Sequence, residues 1–277
     1  MNEMSPSENQ SHNVALVTGA SSGIGYATAK ALRAAGFDVI GTSRHATAKG
    51  PDGITMLACD VTDDASVANL VNDVLDATGR IDLLVNNAGV GLFGGAEESS
   101  LDQARMLFDV NVFGVIRMTN AVLPIMRRQE KGRIINLSSA HGFIPAPYFS
   151  LYSATKHAVE GYSQSLDHEL RTLGIRVVLV EPAYTRTPFD ANLIKPDRLL
   201  DAYESARADV AAAVEEAIRK GDTPEIVAGT IVKAATDTDP KPRYPAGKLA
   251  RQVSVLRRFV PASAFDRSLR KMLRLPV

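Results

Sequence analysis

The order of apolar and amphipathic segments along the chain is the feature that most constrains its fold. Short apolar runs rich in β-branched residues alternate with stretches in which apolar residues recur at helical spacing. The runs predict strands at 14–18, 38–42, 54–58, 81–86, 133–138, 176–181 and 243–246. The stretches between them predict helices at 24–35, 62–77, 101–128, 152–173 and 223–236. Strands that are apolar on both faces and separated by helices favour an α/β fold, with a doubly wound parallel sheet in one domain over 13–277.

Composition excludes several classes of function. The chain carries 31 basic and 31 acidic side chains, a balance that is unlike that of a general nucleic-acid binder. Its one cysteine, Cys59, excludes an intrachain disulfide and a multi-cysteine metal site, and we expect no metal. No continuous apolar run has the length of a membrane span. The polar start, at 1–12, lacks the pattern of a signal peptide and is expected to be a loose terminus of a cytoplasmic protein.

A glycine-rich turn follows the first predicted strand. It reads Thr18-Gly19-Ala20-Ser21-Ser22-Gly23-Ile24-Gly25 and leads into a predicted helix. Glycines let the backbone approach a pyrophosphate, and a helix N-terminus offers free N–H groups and the positive end of its dipole. A purely structural turn could use the same residues, but the strand before and the helix after are those that a dinucleotide site requires. We therefore predict dinucleotide contacts from Gly19, Ser21, Ser22, Gly23, Ile24 and Gly25.

Further motifs follow this turn in a fixed order. Asn86-Asn87-Ala88-Gly89 follows the fourth strand, Ser139 follows the fifth, and Tyr152 and Lys156 form a YxxxK motif 13 residues after that serine. Together with the GxxxGxG turn, these motifs resemble the short-chain dehydrogenase/reductase family over residues 18–187. The 181–187 loop and the long C-terminal extension resemble the steroid and retinol dehydrogenase-like branch, although Ala183 stands where the family usually has glycine. The resemblance implies an oxidoreductase that interconverts a hydroxyl and a carbonyl by hydride transfer, commonly as a homodimer or homotetramer.

The resemblance assigns the catalytic roles to Tyr152, Lys156, Ser139 and Asn111. A free tyrosine has a pKa of about 10, and an ammonium one helical turn away favours the phenolate that proton transfer needs. By resemblance, the lysine also bonds the nicotinamide ribose, the serine holds the substrate oxygen and the asparagine joins a proton relay through water. Ser138 is the alternative for the serine, although the 13-residue spacing favours Ser139. A packing tyrosine and a helix-interior asparagine with a local bond are the structural alternatives for Tyr152 and Asn111.

The end of the second strand bears on which dinucleotide is used. An NAD enzyme of this fold places a carboxylate there, whereas this chain has Ser43 followed by Arg44, whose guanidinium suits the 2′-phosphate of NADP. We therefore expect NADP rather than NAD, although Ser22 stands where NADP enzymes often carry a basic residue and Arg44 could be a solvated loop charge. The resemblance adds coenzyme contacts from Asp60, Val61, Asn87, Ala88, Gly89, Pro182 and Thr187, besides Tyr152 and Lys156. For Asp60, a helix cap is the alternative.

The substrate side is predicted to be apolar. The segment 143–149 is rich in aromatic residues and prolines and would form a wall, with Phe143 and Tyr148 beside Ser139 as substrate contacts. His141 is interpreted as structural. The segment 188–222 is expected to be a helical lid, and a lid over an apolar wall indicates a lipophilic alcohol or ketone.

The extension at 248–277 has eight basic residues and one acid, with apolar residues at helical spacing. Such a segment could make weak contact with an anionic membrane surface, or it could pack against the domain with its charges in solvent. Two other functions remain open. One is an NADP-binding redox sensor without turnover, and the other is an extended-type epimerase or dehydratase. Sensors usually lose the tyrosine or lysine, and the extended enzymes have a GxxGxxG turn.

Overall fold

A parallel sheet runs through the middle of the molecule. A computed structural model of the protein describes residues 12–45 and 51–276, and within them the strands are β1 (Val14–Val17), β2 (Asp38–Ser43), β3 (Thr55–Ala58), β4 (Leu83–Asn86), β5 (Gly132–Leu137), β6 (Ile175–Pro182) and β7 (Arg243–Ala246). They lie in the order β3-β2-β1-β4-β5-β6-β7. The chain reverses its direction of travel between β1 and β4. The carboxyl ends of these two strands therefore flank the crevice in which doubly wound sheets bind ligands.

Helices cover both faces of the sheet. They are α1 (Gly23–Ala34), α2 (Asp64–Thr78), α3 (Leu101–Phe108), α4 (Gly114–Arg128), α5 (Ser150–Leu170), α6 (Glu204–Arg219), α7 (Pro224–Thr236), α8 (Gly247–Phe259) and α9 (Ala262–Met272). Because successive strand residues point to opposite faces, Leu16 packs with α2, α4 and α5 while Val17 packs with α1 and α7. The predicted doubly wound sheet is confirmed, and each predicted strand agrees with the structure to within two residues at either end.

The predicted helix at 101–128 is wrong in its middle. It is divided into α3 and α4 by a π-helical turn at Asp109–Phe113. A π turn inserts an extra residue into the helical ladder and is common at functional sites. Here it turns the side chain of Asn111 toward the backbone of Val90, with which it makes two hydrogen bonds. Apolar spacing does not register this insertion, because the residues on either side keep their buried faces.

The same stretch is the one part of the described chain that has the length and apolar composition of a membrane span. Leu101–Arg128 reaches a mean hydropathy of 1.3 in its most apolar window, of which 44% is buried inside the fold. Core helices of globular domains have the same properties, so length and composition are weak evidence for a span. The predicted loose terminus lies, apart from His12, outside the described residues.

The lid and the extension form one side of the molecule. The predicted lid contains short 3₁₀ turns at Asp190–Asn192 and Asp201–Tyr203, followed by α6. The extension forms α8 and α9, and Leu273 after α9 is buried against Val210 and Val214 of α6. Packing against the domain is therefore confirmed for the end of the extension.

Candidate active site

Two loops meet where β1 and β4 end. The hydroxyl of Thr18 accepts hydrogen bonds from the backbone N–H groups of Asn87 and Ala88, both at 3.0 Å. The Asn87 amide donates to the carbonyls of Thr18 and Gly19, at 2.9 and 3.0 Å. The Asn87 side chain is therefore occupied in joining the loops, and half-buried Ala88 and Gly89 form the surface beside them.

The glycine turn is shaped for close approach of the backbone. Gly19 and Gly23 have φ angles of +64° and +54°, which glycine adopts without steric cost. A Cβ on Gly25 would lie 2.2 Å from the carbonyl oxygen of Gly19. Ser22 precedes α1 but makes no side-chain capping bond within the described part of the chain. The first N–H groups of α1 are therefore available to an anion, which fits the predicted pyrophosphate of a dinucleotide.

The loop after β6 crosses this turn. A Cβ on Gly23 would lie 3.3 Å from the Cβ of Thr187, so the predicted coenzyme contact at Thr187 lies beside the start of α1. Pro182 ends β6 and is paired in register with Ala246 of β7, which fixes where the loop begins. Ser21 is exposed at the same turn, while Ile24 packs on the core of the α1 face.

The second strand ends at the far side of the crevice. Ser43 is half-buried there, and Arg44 is exposed beside it. Hydrogen bonds from Thr62 are the largest cause that lowers the pKa of Asp60, and the positive charge of Arg44 lowers it further. Arg44 and Asp60 therefore lie near each other at this edge.

Asp60 does not cap a helix, which is the alternative role considered for it. Asp60 instead closes the tight turn with Thr62, whose N–H and hydroxyl donate to it at 2.9 and 2.7 Å. The cap of α2 is Asp63, which accepts from the N–H of Ser66 at 2.6 Å. Val61 is buried, and a Cβ on Gly114 would lie 2.9 Å from it.

The proposed catalytic side chains converge at the ends of β5 and α5. The Nζ of Lys156 lies 5.7 Å from the centre of the Tyr152 ring and donates to the Leu137 carbonyl at 2.9 Å. The buried hydroxyl of Ser139 bonds the Tyr152 phenol and also accepts from the N–H of His141 at 3.2 Å. The structure thus brings Ser139, Tyr152 and Lys156 together.

Burial dominates the electrostatics of this group. It raises the pKa of Tyr152 well above its usual value; the Ser139 hydrogen bond opposes that rise and the charge of Asp190 adds to it. Burial also lowers the pKa of Lys156 to about 8, against the opposing charge of Glu160. Groups of the protein alone therefore do not produce the expected lowering of the tyrosine pKa. The Lys156 ammonium donates its hydrogen bond to the Leu137 carbonyl rather than to the phenol.

Asn111 is buried in the π turn between α3 and α4. Its side chain accepts from the N–H of Val90 at 2.9 Å, and donates to the Val90 carbonyl at 2.8 Å and to the Thr155 hydroxyl at 3.2 Å. A Cβ on Gly89 would lie 3.2 Å from its Oδ1 and 4.0 Å from the Lys156 Nζ. Asn111 therefore holds the loop after β4 next to Lys156, and its part in a proton relay stays a prediction.

An apolar cluster covers Tyr152. Its fully buried members are Phe149, Val210, Val214 and Leu273, from the loop before α5, from α6 and from the end of the extension. Tyr148 joins it at a strained φ of +63°, which is rare for an aromatic residue. Phe143 is not among its members; its carbonyl accepts from Arg257 of α8 at 3.3 Å. Tyr148 and Phe149 thus contribute to the cluster, and the substrate contact expected from Phe143 stays a prediction.

Two site residues were missed by the sequence analysis. Phe189 of the lid lies with its ring centre 6.0 Å from that of Tyr152, and Asp190 follows it. Both lie in the predicted lid, but the sequence gives no sign of their contact with the site, because the lid reaches the site through long-range pairing. His141 is a third neighbour, 5.4 Å from Tyr152 between ring centres and bonded to the Ser153 hydroxyl at 3.2 Å. Burial lowers the pKa of His141 to about 4, so it is neutral near pH 7, and its interpretation as a structural residue stays a prediction. Within the described residues, no three potential metal ligands come together.

Comparison with known proteins identifies the family to which the chain belongs. The model of the short chain dehydrogenase family matches residues 13–198. A 3-ketodihydrosphingosine reductase of Bacteroides thetaiotaomicron is 37% identical over 238 residues, 85% of this chain and 88% of its own. A short-chain dehydrogenase structure from Streptomyces avermitilis is 35% identical, with a TM-score of 0.80 over 94% of this chain and 99% of that one.

Solved relatives also hold the predicted class of coenzyme. A metagenomic short-chain oxidoreductase in complex with NADP is 28% identical, with a TM-score of 0.65 over 83% of this chain and 95% of its own. A 3-ketoacyl-(acyl-carrier-protein) reductase from Brucella melitensis, complexed with NADH, is 26% identical, with a TM-score of 0.71 over 84% and 95%. The fold, the glycine turn and these matches place the chain in the short-chain dehydrogenase/reductase family of nicotinamide-dependent oxidoreductases.

Proposed function

We propose that the protein is an NADP-dependent enzyme that interconverts a carbonyl and a hydroxyl on a lipophilic substrate. The observation that carries the proposal is the apolar cluster against which half-buried Tyr152 packs, formed by side chains from the 143–149 loop, the lid and the extension. Apolar enclosure of this kind favours binding of an apolar chain, because it removes that chain from water.

Each residue of the proposed site has a separate role in the reaction. When bound, the nicotinamide coenzyme supplies or accepts the hydride. The hydroxyl of Ser139 holds the substrate oxygen against Tyr152, whose phenol gives that oxygen a proton in reduction and removes one in oxidation. Lys156 keeps positive charge beside the phenol, and the cluster excludes water from the reacting carbon.

Two further observations support parts of the proposal. At the end of β2, Arg44 follows a serine rather than a carboxylate. This arrangement suits the 2′-phosphate of NADP. The Bacteroides relative is named for reduction of a keto sphingoid lipid, which is a lipophilic carbonyl substrate.

The test is a spectrophotometric screen of aliphatic ketones, aldehydes and alcohols of increasing chain length with NADPH and NADH. We expect kcat/KM to rise with chain length, and Tyr152→Phe to remove turnover while leaving NADPH binding intact. Tyr162→Phe, on the same helix, is the matched control and should keep activity. Binding of NADPH without turnover above the Tyr152→Phe level would favour the redox sensor instead.

Coenzyme choice needs a separate measurement. We expect NADPH to bind more tightly than NADH in titration of the free enzyme. Arg44→Asp should reduce that preference by about tenfold or more, because it replaces a phosphate partner with a charge that repels the phosphate. Equal affinities in the wild type, or an unchanged ratio in the variant, would refute NADP preference without touching the rest of the proposal.

A further inference from the structure

A carboxylate lies in the part of the lid that covers the catalytic tyrosine. Asp190 begins the 3₁₀ turn Asp190–Asn192. The residue before it, Phe189, places its ring 6.0 Å from the Tyr152 ring, and Leu193 after the turn belongs to the apolar cluster. The aspartate is therefore the charged residue between two apolar side chains that both pack over the site.

The backbone fixes this part of the lid. Ile194 donates its N–H to the Gly91 carbonyl at 2.9 Å, and its own carbonyl accepts from the N–H of Phe93 at 3.2 Å. A Cβ on Gly91 would lie 2.4 Å from Leu193 and 2.9 Å from Phe189. The loop after β4 thus accommodates the lid only because it has glycine there, and the position of Asp190 over the site follows from this pairing.

Asp190 is half-buried and differs from two buried acids that have cationic partners. Glu98 is paired with Arg207, and Asp167 with Arg171 and Arg176. Within residues 12–45 and 51–276, no lysine or arginine forms an ion pair with Asp190, and its carboxylate accepts a hydrogen bond from its own backbone N–H but from no side chain.

A carboxylate that is partly removed from water and has no cation is unfavourable. Burial accordingly raises the pKa of Asp190 to about 6. A charge partner from a ligand would remove this cost, as at many functional sites.

The carboxylate also acts on the reacting phenol. Burial is the main cause that raises the pKa of Tyr152 and of neighbouring Tyr184, and the negative charge of Asp190 raises both further. Such a charge opposes formation of the phenolate, so it is adverse to catalysis on a neutral substrate. A cation held by Asp190 would cancel that effect, because opposite charges close together screen each other from a third group.

We propose that Asp190 binds a cationic amine that the substrate carries close to its reacting carbon. This inference rests on the proposed function and narrows its substrate class to lipophilic amino ketones and the corresponding amino alcohols. The ammonium group meets the aspartate, the carbonyl meets Ser139 and Tyr152, and the aliphatic chain occupies the apolar cluster.

The experiment compares a medium-chain ketone that has an amine on the carbon beside the carbonyl with the ketone of the same chain that lacks the amine. For the wild type we expect kcat/KM to be about ten- to hundredfold higher for the amino ketone, the range of a charge-assisted hydrogen bond. In Asp190→Asn this preference should disappear through a rise in KM for the amino ketone, while the neutral ketone keeps or improves its turnover. Asp201→Asn, which changes an exposed carboxylate of the lid, should behave as the wild type.

The possible outcomes separate the two proposals. Turnover of the neutral ketone with no preference for the amine in the wild type overturns the role of Asp190 and leaves the proposed function standing. An equal loss for both ketones in Asp190→Asn also overturns it, since that marks a structural residue. Absence of turnover with every carbonyl tested overturns the proposed function itself. Because the preference of the wild type is measured first, the test does not depend on the folding of the variant.

Discussion

Behind Ser139, Glu160 and Glu181 bring two carboxyl groups together in the core. Both are almost fully buried, and the guanidinium of Arg243 lies 2.5 Å from each. A Cβ on Gly142 would lie 2.5 Å from the Ser138 hydroxyl and 2.8 Å from Glu160, so the pair supports the loop that carries Ser139. One cation cannot neutralise two carboxylates, and burial together with the charge of Glu181 raises the pKa of Glu160 to about 7.

This pair predicts a specific dependence of stability on pH. With an ordinary pKa of 4.5 in the unfolded chain, Glu160 keeps its proton longer in the folded protein, so the free energy of unfolding falls as the pH rises from 4.5 to about 7. Glu160→Gln is neutral throughout this range. Its free energy of unfolding should therefore fall less than that of the wild type, by on the order of 2 kcal/mol. Urea unfolding at either end of that range measures the difference, with Glu215→Gln on exposed α6 as the control. An unchanged pH dependence in Glu160→Gln would contradict the prediction.

At the scale of single residues, the sequence predicts side chains whose partners are local. Tyr152 and Lys156 are one helical turn apart, so helical geometry alone puts them side by side. Asp190 and Glu160 are different, because their environment comes from a lid turn and from a strand near the end of the chain. Neither the pairing of the lid with the loop after β4 nor the contact of Glu160 with Arg243 has a local signal, so only the structure reveals them.

Among the elements, one buried acid makes several of the contacts that hold the lid against the domain. Glu98, which precedes α3, accepts hydrogen bonds from the N–H groups of Gly95 at 2.6 Å and Leu200 at 2.8 Å, and it pairs with Arg207 of α6. Burial favours protonation of Glu98, but these donors outweigh it and leave its pKa below the usual value. The neighbouring Glu97 accepts from the Tyr203 hydroxyl at 2.5 Å. These contacts hold the start of α6 over the site.

Removing the arginine that pairs with this acid should loosen the lid. Arg207→Ala leaves Glu98 buried without its cation, at a cost of about 3 kcal/mol when a buried pair loses one partner. We expect faster amide hydrogen exchange across residues 198–214, unchanged exchange in the sheet, and a higher KM. The double variant Arg207→Ala/Glu98→Gln should recover much of the protection, because it removes the unpaired charge. Equal exchange in wild type and Arg207→Ala would show that the pair does not hold the lid.

The strands and helices are largely predictable from the sequence, and the π turn is an exception. Apolar runs and helical spacing locate the strands because burial on two faces demands a continuous apolar pattern. The π turn at Asp109–Phe113 is not visible in that pattern, because it positions the Asn111 side chain to accept from the N–H of Val90 and to donate to its carbonyl. A polar contact between distant segments does not change the spacing of apolar residues, so that spacing cannot predict it.

For the whole molecule, the exposed apolar face of α3 and the π turn favours association with a second copy. Leu101, Met106 and Phe113 are 73%, 37% and 52% exposed, and Phe113 lines two adjoining grooves. Arg105 and Asp109 border the first groove, so a twofold axis there can bring opposite charges together. We expect the wild type to sediment as a dimer or larger. Phe113→Glu should lower the mass, whereas Leu199→Glu, at a similarly exposed apolar residue of the lid, should not. A monomeric wild type would contradict the prediction.

The extension offers a second exposed surface, and its charge decides which partner suits it. On α8, Val255, Leu256 and Phe259 are 57%, 48% and 73% exposed among arginines. Two copies meeting at this face would oppose one strongly basic segment to another, which is unfavourable, whereas an anionic lipid surface is complementary to it.

We therefore expect the protein to co-sediment with vesicles that contain phosphatidylglycerol but not with phosphatidylcholine vesicles, and to release at high salt. Arg251→Glu/Arg258→Glu, two exposed positions on α8, should weaken binding by on the order of a hundredfold, because each basic residue near the surface contributes about 1 kcal/mol and the reversal also adds repulsion. Arg127→Glu/Arg128→Glu makes the same charge change at the exposed end of α4 and should leave binding intact. If both double variants bind as the wild type does, α8 is not the membrane-binding surface, and if the wild type binds neither vesicle, α8 is a solvated surface and the prediction is wrong.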